Sequence, residues 1–144
     1  MDSPQQQPRR LLGIDPGQRR TGVAVSDDLG LYAHPRAAIL ARGDAPLVEE
    51  LARLVSADGI SEVVVGLPLS LSGEDSAQTA QVRALVHRLR ERLTIPVSTW
   101  DERLTSVQAG RSVREGRTRT GLTDSAAAAL ILQAVLDSRR GTAS

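Results

Sequence analysis

The order in which two hydrophobic periods occur along the chain is what most limits the architectures open to it. Residues 11–15 form a short apolar run closed by Pro16 and Gly17, and residues 21–26 resume with Val23 and Val25. This reads as two strands joined by a tight connection. Asp27-Asp28-Leu29-Gly30 marks a second turn, and residues 31–40 give a weaker third strand, in which Pro35 suits a sheet edge better than a sheet centre. The pattern then changes. Leu47, Val48, Leu51, Ala52, Leu54 and Val55 make one helical stripe, with Asp44 as the predicted N-cap, Pro46 in the first turn and Gly59 as the stop. Residues 60–67 are a β-branched run ending in Gly66-Leu67-Pro68, residues 72–76 read as loop, and Val82, Leu85, Val86, Leu89 and Leu93 form a second helical stripe. Residues 95–100 supply a fifth strand. Thr105-Ser106-Val107-Gln108 has the spacing of a capping box and predicts a short helix ended by Gly116, with a loop over 117–121. Thr123 is placed to cap a final helix whose residues 126–132 are apolar on all sides, as for a helix packed deep against a sheet.

Three meandering strands imply an antiparallel portion, and the alternation of helix and strand that follows implies a parallel one. A mixed five-stranded sheet with helices packed on it satisfies both. The 144 residues contain no internal repeat and suit one domain, long enough to bury roughly 70% of the surface its unfolded chain would expose. Residues 1–8 read as a disordered tail, 9–138 as the domain and 139–144 as a C-terminal tail. Cysteine is absent, which excludes a disulfide framework, a Cys-ligated zinc and a thiol nucleophile. No apolar run approaches the 18 or more residues of a membrane span, so no membrane partner is expected and the cytoplasm is the expected compartment.

Every one of the 18 cationic side chains is Arg. The net charge of +1 conceals a segregation: residues 37–75 carry a local balance of −5, and residues 76–119 one of +5. Such a chain can repel a polyanion with one part and attract it with another. The plainer reading is a set of solvated helix faces.

Three acidic positions stand where strands end or a helix begins. Asp15 ends the first strand, Asp101-Glu102 follow the last strand, and Asp124 begins the final helix. In the parallel part of an open sheet, functional groups collect at the carboxyl ends of strands, so these carboxylates can converge. Gathered oxygens of this kind repel one another unless hard cations such as Mg²⁺ or Mn²⁺ lie between them. A pair of such ions activates a water and stabilises the leaving oxygen in phosphodiester cleavage. Each residue also has an ordinary reading: Asp15 as a turn cap, Asp101 as a partner of Arg103, and Asp124 as a favourable charge at a helix N-terminus.

The segments that carry these residues resemble a known family. The run from Leu12 to Asp27, with Asp15-Pro16-Gly17-Gln18-Arg19-Arg20-Thr21-Gly22 at its heart, is similar to the first block of the YqgF/RuvX proteins. Val64-Val65-Gly66-Leu67-Pro68 with Gly73 resembles the second block, Asp101-Glu102-Arg103-Leu104-Thr105 the third, and Asp124 with residues 126–133 the last. The resemblance implies an α/β, RNase H-like fold: a five-stranded mixed sheet in the order 3-2-1-4-5 with helices on both faces. It also implies a two-metal nuclease site using Mg²⁺ or Mn²⁺, with Asp15, Glu102 and Asp124 as catalytic metal ligands and Asp101 as a further candidate ligand. The family's role is in maturing the 5′ end of pre-16S ribosomal RNA or, alternatively, in resolving Holliday junctions. An Asn common in the family after Gly-Leu-Pro is Ser70 here. Related resolvases carry an acid at the end of the fourth strand, where this chain has Gly66-Leu67-Pro68, so Glu102 must supply that carboxylate from the neighbouring strand.

Arg19, Arg20 and Arg103 are candidate phosphate contacts beside the site, and Arg111, Arg114, Arg117 and Arg119 are candidates for tracking a nucleic-acid backbone further out. The planar guanidinium suits phosphate, and such contacts give affinity rather than sequence preference. With Tyr32 and Trp100 as the only aromatics, base stacking is not the expected mode of recognition, and Trp100 is expected to be packed. Gly17 and Gly22 have P-loop spacing but lack the Lys and Ser/Thr that motif needs, His34 and His87 are too isolated for zinc, and no Gly-x-Ser-x-Gly elbow occurs. The rival to a nuclease is a non-catalytic nucleic-acid-binding or ribosome-assembly factor. A junction resolvase would favour a two-fold homodimer, since its substrate has paired strands to cut.

Overall fold

The computed structural model describes residues 9–105 and 125–143. Five strands form one sheet: β1 (Leu11–Asp15), β2 (Arg20–Ser26), β3 (Ala33–Leu40), β4 (Glu62–Leu67) and β5 (Val97–Asp101). Their order across the sheet is β3-β2-β1-β4-β5. β1 is antiparallel to β2, and β2 to β3, while β1, β4 and β5 run parallel. The expected mixed sheet is therefore present, with the Pro35 strand at an edge. The register brings Ile14 opposite Val65 and Gly66 opposite Trp100, so β1, β4 and β5 finish level with one another.

Alternation along the central strands divides the core in two. Leu12, Ile14, Val63 and Val65 point to one face, which is covered by α1 (Asp44–Asp58) through Leu47, Val48 and Leu51 and by α2 (Ala77–Arg92) through Val82, Leu85, Val86 and Leu89. Leu11, Ala24 and Val64 point to the other, covered by α3 (Ala126–Ala143) through Ala128, Leu132, Val135 and Leu136. Each such fully buried aliphatic side chain contributes about 1.5–3 kcal/mol relative to exposure. Gly13 sets the distance between α3 and β1, because a Cβ there would lie 2.8 Å from Leu132 Cβ and 3.2 Å from the Ala128 carbonyl. Gln133 interrupts the apolar helix for a reason: it accepts from the Ala33 amide at 2.9 Å and donates to the Leu31 carbonyl at 2.9 Å, pinning the start of β3 to α3.

Several local expectations shift. The N-cap of α1 is Gly43 at φ 87°, with no side-chain cap, and Asp44 is instead the first helical residue. The sharp exit from β3 needs a positive φ that glycine adopts readily, which moves the helix start back by one residue. Gly59 ends α1 in the left-handed conformation, as predicted. Ser76 lies inside the predicted loop and caps α2 reciprocally with Thr79. The final helix continues to Ala143, through most of the stretch expected as a tail. Arg139, within that stretch, pairs with Glu62 at the start of β4. Among the described residues no helix is long and apolar enough to cross a membrane. The predicted tail at 1–8, the short helix ended by Gly116, the loop at 117–121 and the Thr123 cap lie outside the described residues.

Among the described residues the charge segregation along the chain is partly cancelled in space. Acids of the negative stretch pair with arginines of the positive one: Asp75 with Arg83 at 2.7 Å, Glu49 with Arg92 at 2.9 Å and Asp44 with Arg88 at 3.9 Å. Packing α1 beside α2 brings Asp44 and Glu49 to Arg88 and Arg92.

Candidate active site at the carboxyl ends of the parallel strands

Asp15 is the last residue of β1, two positions beyond Gly13, and so its side chain shares the α3 face of the sheet. Glu102 opens a single 3₁₀ turn, Glu102–Leu104, directly after β5. The two carboxyl groups meet in a hydrogen bond over the end of β4. Both are only partly exposed. Burial raises the Asp15 pKa above its ordinary value, and burial together with the facing Asp15 charge pushes Glu102 up to about 8.

What makes room for the pair is Gly66. A Cβ at that position would lie 2.9 Å from Glu102 Oε1, 3.2 Å from Glu102 Cγ and 2.7 Å from Ile131 Cδ1. The missing side chain at the end of β4 is thus the space that a carboxylate from beyond β5 fills. Sequence reasoning required Glu102 to reach across but did not assign a role to Gly66; the available signal was a glycine closing a run of three valines.

Asp101 is committed elsewhere. Its Oδ1 accepts the Arg103 amide at 2.9 Å and caps the turn, while its carboxylate holds the Arg103 guanidinium, with Nη2 to Oδ2 at 2.6 Å. Arg103 holds the Asp101 carboxyl below its usual range. The same guanidinium donates to the Leu71 carbonyl at 3.3 Å and lies against Gly73. Asp101 and Arg103, predicted as a metal ligand and a phosphate contact, therefore form a strut between β5 and the loop after β4. That loop is itself folded as a small hairpin, with Leu69 paired to Asp75 and the Gly73 amide donating to Ser70 at 2.8 Å.

Arg19 and Arg20 are exposed on the connection that leaves Asp15 and enters β2. Asp124, Arg111, Arg114, Arg117 and Arg119 lie outside the described residues. Ser125, the residue after Asp124, is fully buried, and its Oγ accepts the Val23 amide at 2.9 Å. Val23, in β2, is opposite Ile14 in the sheet, so the start of α3 is fixed near the end of β1. Trp100 is partly buried and packs against the α3 cluster, as expected for a packed rather than a base-stacking ring. Among the described residues no three His, Cys, Asp or Glu side chains gather as a metal site; the pair Asp15 and Glu102 stands at the centre.

This fold is matched in known proteins. Among solved structures, the RuvC of T. thermophilus in complex with a Holliday junction substrate superimposes with a TM-score of 0.62 at 18% identity, covering 93% of this chain and 97% of that one. A fowlpox virus resolvase in complex with Holliday junction DNA gives 0.56 at 10% identity, covering 90% and 98%. At these identities the likeness concerns the fold. Sequence relatives are nearer. A protein of Koribacter versatilis named "Putative pre-16S rRNA nuclease" is 42% identical over 136 residues, 92% of this chain and 88% of the relative. One of the same name from Chloroflexus aggregans is 41% identical over 134 residues, 90% and 94% of the two chains. The model of the family described as "RuvX: Holliday junction resolvase" matches residues 9–138, and with the RNase H-like sheet in place the chain belongs to the RuvX family.

Proposed function

We propose that the chain is a divalent-metal-dependent nuclease that hydrolyses phosphodiester bonds in RNA, with precursor 16S ribosomal RNA in the cytoplasm as its substrate. The observation that carries this reading is the Asp15–Glu102 pair, two partly buried carboxyl groups held face to face in the space left by Gly66. A fold has little reason to bring like-charged oxygens together and raise both pKa values unless a cation is to replace the shared proton. Hard oxygen donors of this kind fit Mg²⁺ or Mn²⁺. The names of the sequence relatives support the choice of substrate.

Asp15 and Glu102 are the two ligands contributed by the described residues. Asp124 would be the third, one peptide bond from a Ser125 anchored beside β1. When bound, a pair of such ions lowers the barrier to water attack and neutralises charge on the departing oxygen. Glu102 must first release its proton. Arg19 and Arg20, on the connection that follows Asp15, contact phosphate groups of the strand beside the site, and Arg111, Arg114, Arg117 and Arg119 follow the strand beyond. Asp101 keeps the 3₁₀ turn in shape, which fixes where Glu102 begins.

The test is cleavage of a pre-16S-type RNA, single-stranded DNA and a four-way DNA junction by purified protein under Mg²⁺ or Mn²⁺. The expected result is metal-dependent cleavage of RNA that disappears in Asp15→Asn while the circular dichroism melt persists. Preferred cutting of the junction would transfer the site to resolution. Failure to cut any of the three under either metal would leave a binding or ribosome-assembly factor.

A further inference from the structure

Nine of the arginines among the described residues have a carboxylate within 4.0 Å. Arg19 and Arg42 have none among those residues, and they line one cleft, of about 510 Å³, between the β1–β2 connection and the exit from β3. Two exposed cations on one cleft, neither with a carboxylate among the described residues, make a site for an anion.

Gln18 belongs to the wall of this cleft and also to the wall of a second one, of about 440 Å³, on the α1/α2 side of the sheet. The two clefts therefore adjoin at this side chain. The second has an apolar floor from Leu47, Val82 and Leu85, and amide groups from Gln18, Gln78 and Gln81 around it. Its one acid, Asp44, faces Arg88 at 3.9 Å. Cations at one end, and a greasy floor ringed by amides at the other, match the two halves of a nucleotide. Phosphate suits the first; a base suits the second, since carboxamides can both donate to and accept from its edge. Gln18 is three residues beyond Asp15, and the connecting Pro16-Gly17 turn passes over the end of the sheet.

We infer that these adjoining clefts bind the single strand flanking the cleaved bond, with a non-scissile phosphate between Arg19 and Arg42 and the adjacent base against Gln78 and Gln81. This rests on the nuclease reading and adds a subsite on the sheet face opposite to the carboxylate pair. The strand is led over the Pro16-Gly17 turn, so that contacts on the far side position the phosphodiester that reaches Asp15 and Glu102.

The experiment is fluorescence anisotropy of a short labelled single-stranded RNA with the full chain in EDTA, over a range of salt concentrations. Arg42→Gln is expected to weaken binding about tenfold and to reduce the slope of log affinity against log salt by about 0.7, the loss of one phosphate contact to a single strand. Gln81→Ala is expected to weaken binding about threefold and leave the slope unchanged. Arg53→Gln removes an equally exposed charge from the outer face of α1 and is expected to stay within twofold of wild type. Equal effects of Arg42→Gln and Arg53→Gln would overturn the subsite, and so would undiminished binding in both cleft variants. If the wild type binds no RNA, both the subsite and the nuclease reading fall; if it binds and cuts RNA while the cleft variants bind normally, only the subsite does.

Discussion

Replacing Gly66 by alanine separates a site built around an empty position from a site that merely contains a glycine. The added methyl would come within 2.9 Å of Glu102 Oε1 and 2.7 Å of Ile131 Cδ1, both closer than carbon tolerates. Each obstacle is the far end of a flexible side chain, so the fold can yield. Overpacking of this kind costs about 1–3 kcal/mol, and side-chain adjustment places Gly66→Ala toward the lower figure. Function has no such latitude, because the group that yields is the ligand itself. A displaced carboxylate ligand is expected to reduce Mn²⁺ affinity by about 10- to 100-fold, as disturbed ligand orientation commonly does. Urea unfolding in EDTA reads the first effect and calorimetric Mn²⁺ titration the second. In a Glu102→Gln background the stability loss should largely remain, since Ile131 is still crowded, whereas Gly66→Ala should cost no further Mn²⁺ affinity. Wild-type affinity in Gly66→Ala, or the same loss of affinity in both backgrounds, would refute the idea that Gly66 acts by housing Glu102.

Glu102 also predicts an unusual pH dependence. With its pKa raised from 4.5 to about 8, the folded metal-free protein retains a proton that the unfolded chain has already released in that window, so stability falls as pH rises from about 5 to 8. Urea unfolding in EDTA at the two pH values should reveal that fall, Glu102→Gln should flatten it, and a rise over the window would contradict the proposed protonation. Ser125→Ala leaves the buried Val23 amide without its acceptor and is expected to cost about 1–3 kcal/mol by the same assay; a loss under half a kilocalorie would mean the start of α3 is held by other contacts. Gly13→Ala meets a Cβ and a backbone carbonyl rather than flexible ends, so it should destabilise more than Gly66→Ala, and the reverse order of melting temperatures would refute that ranking. Arg103→Ala should speed hydrogen exchange at the Gly73 and Glu74 amides while Asp101→Asn leaves the number of bound Mn²⁺ ions unchanged; loss of an ion in Asp101→Asn would restore Asp101 as a ligand.

Where local pattern and burial coincide, the chain announces its fold. The alternation of Leu12 and Ile14 with Gly13, the valines of β4 and the helical stripe ending at Gly59 each have one reading, and the chain adopts it. Pro35 identified an edge strand because a missing amide is tolerated only there. What could not be read is what depends on pairs of residues far apart in sequence. The opposing charges of α1 and α2 look like segregation until the helices lie side by side. The pairing of Arg103 with Asp101 was legible, but not that the Leu71 carbonyl, thirty-two residues earlier, would also hold it. Gly66 has no side chain to advertise a role; its meaning is the volume it leaves for a residue thirty-six positions later.

Anomalous scattering from crystals grown with Mn²⁺ gives the most direct test of the carboxylate pair as a metal site. The prediction is manganese coordinated by the oxygens of both Asp15 and Glu102, at about 2.0–2.2 Å as for small hard cations, with the hydrogen bond between the two side chains broken. Manganese confined to other acids, with Asp15 and Glu102 still sharing their proton, would contradict it.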